Sequence, residues 1–155
     1  MSSQLPRLAY IGVGLMGLPM VKRLISLGYP VSVFDILPAQ VRAAELAGAR
    51  AAISPADATR GCEFVLLNLP TTDAVKEAMF DADGVASAVT PPQLVIDFST
   101  VHVDKGRAFA ATALAQQLRA GQVRVERFDL APVRPHLTSH RVFIGVGHHP
   151  LVAGL

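Results

Sequence analysis

Wholly apolar runs alternate with amphipathic stretches along most of the chain. Leu8-Ala9-Tyr10-Ile11 reads as a strand buried on both faces, and it ends on Gly12. Leu18 to Leu27 puts Met20, Leu24 and Leu27 at helical spacing and stops at Gly28, a residue suited to the C′ position. Pro19 fits the first turn of that helix. Val31 to Asp35 predicts a second strand, and Pro38 to Leu46 a helix ending near Gly48. Ala51 to Ile53 predicts a brief third strand. Ser54-Pro55-Ala56-Asp57 then has the form of an N-cap with proline at the first helical position, opening a short helix to Arg60. A strand over Glu63 to Leu67, a helix over Thr71 to Met79 and a turn at Asp83-Gly84 follow. A buried strand is predicted over Leu94 to Phe98. The next helix spans Asp104 to Arg119, with Phe109, Leu114 and Leu118 as its apolar stripe. Val123 to Phe128 alternates like an edge strand. Beyond Arg134 only Val142-Phe143-Ile144 shows a pattern.

Strands alternating with helices predict an α/β fold of the Rossmann type: a doubly wound, mostly parallel sheet with helices on both faces. At 155 residues, 51% apolar and 17% charged, the chain suits one compact domain and not a disordered polymer. No uncharged run of about 20 apolar residues suggests a membrane span. Cys62 is the single cysteine and reads as a small core residue, so a reducing, cytoplasmic setting is expected.

The net charge of +2 conceals a shift in character. Residues 1–118 carry nine Lys/Arg against ten Asp/Glu, whereas residues 119–155 carry five arginines against Glu126 and Asp129. We therefore expect a folded domain over residues 1–120 and a divergent basic tail over 121–155. The tail lacks interleaved aromatics, and no nucleic-acid partner is expected. His136 and His140 are four apart, but Pro135 and Ser139 make a poor helix there. Neither this pair nor His148-His149 reads as a metal site.

The chemistry resides in Gly12-Val13-Gly14-Leu15-Met16-Gly17. This G-x-G-x-x-G follows a buried strand, opens a helix and precedes a second strand ending in Asp35. Gly12 permits the tight turn, Gly14 lets a pyrophosphate approach the backbone, and Gly17 lets the helix pack on the sheet. The helix start offers unpaired N–H groups to phosphate. Asp35, 18 residues after Gly17, stands near the spacing of the acid that binds the adenosine ribose hydroxyls. A carboxylate there repels a 2′-phosphate, so NAD is favoured over NADP.

Residues 11–20, Ile-Gly-Val-Gly-Leu-Met-Gly-Leu-Pro-Met, resemble the N-terminal signature of the β-hydroxyacid dehydrogenases, which include the 3-hydroxyisobutyrate and 6-phosphogluconate dehydrogenases. The resemblance continues through Phe34-Asp35, Ser54-Pro55-Ala56-Asp57, Leu69-Pro70 and Asp97-Phe98-Ser99-Thr100, covering roughly residues 6–119. It implies that Leu69 and Pro70 pass near a cofactor ribose and that Thr100 lies close to the nicotinamide. It further implies hydride transfer between the cofactor and a small 3-hydroxy acid.

The resemblance then fades. Where the family shows Asp-x-Pro-Val followed by Ser-Gly-Gly, this chain has Asp129-Leu130-Ala131-Pro132-Val133 followed by Arg134-Pro135-His136. The family's catalytic lysine lies in a Gly-x-x-x-Asn-x-x-Lys helix. Lys22, Lys76 and Lys105 are the only lysines here, and none has that setting. We therefore expect a truncated member that lacks the helical catalytic domain and has little or no activity alone, with no catalytic residue assigned. Its exposed cleft face is expected to be an apolar patch liable to self-associate, which leaves the oligomeric state open between a monomer and a homo-oligomer. Two alternatives share these residues: a non-catalytic dinucleotide sensor or interaction module, and an NADP-linked fragment resembling the imine reductases.

Overall fold

The computed structural model describes residues 5–90, 93–102, 104–106, 108–109, 111–112 and 143–145. Five strands run parallel: β1 (Leu8–Ile11), β2 (Val31–Phe34), β3 (Arg50–Ala51), β4 (Phe64–Leu67) and β5 (Leu94–Asp97). A sixth, β6 (Phe143–Gly145), pairs antiparallel with β5. The order across the sheet is β3-β2-β1-β4-β5-β6, so the expected doubly wound sheet forms. Between the strands lie α1 (Gly17–Ser26), α2 (Pro38–Glu45), α3 (Pro55–Thr59), α4 (Thr72–Phe80) and α5 (Val85–Ala88).

Alternation along the strands builds two cores. From β1, Leu8 and Tyr10 face one side, joining Val31, Val33 and Leu66 under Val21 of α1 and Ala44 of α2. Ala9 and Ile11 face the other side, joining Val65, Leu67 and Val95 under Ala58, Val75, Met79 and Val85. Helices thus cover both faces, which is why the strands read as continuous apolar runs and not as alternation. Cys62 is buried in the second core, as expected, and burial pushes its thiol pKa up.

Helix ends follow the local chemistry. Gly28 (φ 89°) ends α1: its N–H bonds Ile25 O and that of Tyr29 bonds Leu24 O, the two bonds of a Schellman motif. Gly48 (φ 105°) ends α2 the same way. Ser54 caps α3, its hydroxyl accepting from Asp57 N–H at 3.0 Å. Asp57 Oδ2 in turn accepts from Ile53 N–H at 3.2 Å. That bond and Arg50 hold the Asp57 carboxyl below its ordinary pKa.

Three expectations shift. The third strand is Arg50–Ala51 instead of Ala51 to Ile53, because Ile53 is already turning into the α3 cap and is exposed. Leu27 is the C-cap of α1 and half exposed, not part of its core stripe. The turn at Asp83-Gly84 opens α5, a four-residue helix too short for periodicity to show. The described residues among 104–112 are helical. The expected strand over 123–128, the Asp129 to Val133 segment and the tail histidines lie outside the described residues.

Candidate functional site

The site lies where the strand order reverses direction, at the carboxyl ends of β1, β2, β4 and β5. Beyond their last residues β1, β4 and β5 each pass one more backbone bond to a neighbouring strand. Gly12 N–H donates to Phe34 O at 2.9 Å, Asn68 N–H to Ile11 O at 2.9 Å, and Phe98 N–H to Leu67 O at 2.8 Å. The four loops therefore leave the sheet at one level, at the switch point outside the strand ends where open α/β sheets have their crevice.

The glycine loop occupies its centre, and its three glycines answer to three different constraints. Gly12 has φ 93°, and a Cβ there would lie 2.3 Å from Asn68 O. Gly17 would place a Cβ 2.1 Å from Gly12 O and 3.2 Å from Tyr10 Cε1, so α1 packs on β1 only because no side chain intervenes. Gly14 meets nothing within 4 Å, so its side faces open space. The α1 N-cap, Met16, makes no side-chain cap bond, and the first turn holds no acid. The helix start therefore presents its amide donors and positive dipole end with no side chain drawing on them. A diphosphate fits this arrangement in both shape and charge.

Asp35 joins the site in a way that its spacing does not disclose. Its Oδ2 accepts from Val13 N–H at 2.7 Å, and its Oδ1 from Leu37 N–H at 2.9 Å. The carboxylate thus fastens the glycine loop to the end of β2. Each oxygen keeps a second lone pair for another donor. Ile36 and Leu37 follow it, exposed at 84% and 55%. Arg42 in α2 pairs with Glu45 at 3.8 Å.

On the far side of the crevice, Leu69 is half-buried against Gly12, Pro70 is exposed, and Thr100 is exposed beyond β5. Ser99 and Asp97, which carried no assigned role in the sequence, connect these loops. Ser99 Oγ accepts from Leu69 N–H at 2.8 Å, and Asp97 Oδ1 accepts from Ser99 N–H at 2.8 Å. Burial raises the Asp97 pKa, and the bonds from Ser99 oppose that rise. Beneath the glycine loop, the buried Tyr10 hydroxyl donates to Met20 Sδ at 3.1 Å and receives Asn68 Nδ2 at 3.4 Å. No single-residue signal marks either network, since the bonds that join Tyr10 to Met20, Asn68 to Tyr10 and Leu69 to Ser99 span 10, 58 and 30 residues. Among the described residues no cluster of three His, Cys, Asp or Glu could hold a metal ion. No helix among them is long and apolar enough to cross a membrane.

Residues 7–125 match the family model described as the NAD binding domain of 6-phosphogluconate dehydrogenase. The chain belongs to that family. It is 39% identical over 95 residues to 3-sulfolactaldehyde reductase of Escherichia coli, covering 61% of this chain and 32% of that protein. It is 36% identical over 107 residues to NAD-dependent L-serine dehydrogenase of Pseudomonas aeruginosa, covering 69% and 36%. Among solved structures, 3-hydroxyisobutyrate dehydrogenase of Mycobacterium tuberculosis with L-serine superposes with a TM-score of 0.67 at 31% identity, over 72% of this chain and 38% of that one. The chain thus spans about a third of the length of these relatives. It is a nicotinamide-dinucleotide-binding domain of the hydroxyacid dehydrogenase kind.

Proposed function

We propose that the chain binds NAD in this crevice. The observation that carries the reading is the open face of Gly14 beside the start of α1, with the Asp35 carboxylate fastened to the same loop. The loop Gly12, Val13, Gly14, Leu15, Met16 and Gly17 encloses the diphosphate, with the Gly12 and Val13 amides already committed to Phe34 O and Asp35 Oδ2. Asp35 keeps lone pairs for the adenosine ribose hydroxyls. Leu69 and Pro70 border a cofactor ribose, and Thr100 borders the nicotinamide. Preference for NAD over NADP has three supports. The Asp35 carboxylate opposes a 2′-phosphate, the next two residues are the apolar Ile36 and Leu37, and the nearby Arg42 has Glu45 beside it.

When bound, the nicotinamide supplies hydride exchange with a small 3-hydroxy acid. The residues of this chain bind and orient the cofactor. No lysine here stands in the Gly-x-x-x-Asn-x-x-Lys setting, so proton transfer at the substrate hydroxyl has no assigned group. The 155-residue polypeptide by itself is therefore a binding unit with little or no turnover.

Isothermal calorimetry with NAD+ and NADP+ tests the reading. We expect one site per chain and an affinity for NAD+ at least about tenfold above that for NADP+, a gap of about 1.4 kcal/mol. Absence of binding refutes the proposal, and a preference for NADP+ refutes its choice of cofactor.

A further inference from the structure

We propose that Ser99 is a positioning residue that sets the nicotinamide end of the crevice separately from its adenosine end. This rests on the crevice being the dinucleotide site. The ladder between β4 and β5 ends with Phe98 N–H on Leu67 O. Beyond it, the two chains continue as Leu69-Pro70 and Ser99-Thr100, the segments assigned to the cofactor ribose and the nicotinamide. Pro70 has no N–H with which to extend the ladder. The Ser99 hydroxyl supplies one more rung by accepting from Leu69 N–H at 2.8 Å. Asp97 fixes Ser99 in turn, taking its N–H at 2.8 Å and interacting with its side chain. Ser99 and Asp97 are 4% and 9% exposed, so water is a poor substitute for either bond.

The adenosine end has its own fastening: Asp35 ties Val13 N–H to the end of β2 at 2.7 Å. Two side-chain clasps thus hold the crevice, one on each side of β1. Losing the Ser99 clasp frees Pro70 and Thr100 to separate, while the glycine loop and Asp35 stay in register.

The test compares two probes on the full 155-residue chain. NADH spans the whole crevice, and its nicotinamide emission reports how that ring is held; ADP reaches only the adenosine and diphosphate end. Ser99→Ala is expected to weaken NADH about five- to tenfold and lower its bound emission, with ADP affinity unchanged within about twofold. Ser99→Thr, which keeps the hydroxyl, is expected to restore NADH binding toward that of the parent chain. An unchanged NADH affinity in Ser99→Ala overturns the proposal. So does equal loss of both probes, through unfolding or otherwise, because Ser99 is then a residue of the fold alone. Failure of the parent chain to bind either probe is a different result, and it removes the assignment of the crevice itself.

Discussion

Replacing Gly14 with alanine separates cofactor binding from folding. The added Cβ meets no atom within 4 Å, and Gly14 is not among the glycines with positive φ. The substitution therefore introduces no clash and no backbone strain. It removes freedom from the unfolded chain, which stabilises the fold by about 0.4–1 kcal/mol. That corresponds to a rise of roughly 1–6 °C in Tm for a domain of this size. The new methyl group stands where a diphosphate would meet the loop. Losing even one charge-assisted bond to the backbone costs about 1.5–3 kcal/mol, a loss of roughly ten- to a hundredfold in affinity. Differential scanning fluorimetry gives the first quantity and calorimetry with NAD+ the second. Gly14→Ala is thus expected to melt at or above the parent temperature and to bind NAD+ far more weakly. An unchanged affinity, or a Tm lower by several degrees, refutes the reasoning.

Gly17→Ala should show the opposite balance. Its Cβ would sit 2.1 Å from Gly12 O, so α1 must retreat and the domain should lose about 1–3 kcal/mol, read as a lower urea midpoint. Asp35→Ala leaves Val13 N–H and Leu37 N–H without their acceptor and removes the charge proposed to oppose a 2′-phosphate. It should lower Tm and shrink the NAD+/NADP+ affinity ratio toward unity; an unchanged ratio removes Asp35 from cofactor choice. Asp97→Asn keeps an oxygen for Ser99 N–H without the buried charge. Burial raises the folded pKa of Asp97 above its ordinary 3.8. The parent therefore gains stability relative to the variant as pH falls through that folded pKa, and pays the cost of the charge above it. Melting curves should place Asp97→Asn above the parent near neutral pH, with the gap closing in acid; a gap constant with pH contradicts this. Purified chain with NAD+ and 3-hydroxyisobutyrate should show no steady NADH production, and robust turnover contradicts the assignment of a binding unit.

What could be read from the sequence depended on how local its cause was. The strands of the parallel sheet were visible because burial on both faces makes their sequences apolar throughout, as in Leu8–Ile11 and Phe64–Leu67. The glycine loop was visible because its three glycines stand at a fixed short spacing between a strand and a helix, although the atom that crowds Gly12 is Asn68 O of another loop. One element fell below any periodic signal, α5 with its four residues, whereas β3, with two, was expected but begins one residue earlier than Ala51. The second task of Asp35 was hidden because its partner Val13 lies 22 residues away. The clasp of Ser99 on Leu69 crosses 30 residues, and a serine at a strand end gives no sign of which backbone donor it will meet. The sequence thus revealed which residues form the crevice walls, whereas the bonds between the walls required the sheet order.

The proposed site lays a nicotinamide dinucleotide across the carboxyl ends of β1, β2, β4 and β5. Its most direct test is a titration of the 15N-labelled chain with NAD+, followed by amide chemical shifts. Saturable changes are expected, concentrated at Gly12 to Gly17, Asp35 to Leu37, Leu69, Ser99 and Thr100, with the amino-terminal ends of the strands unmoved. No saturable change, or changes centred away from the glycine loop, would contradict it.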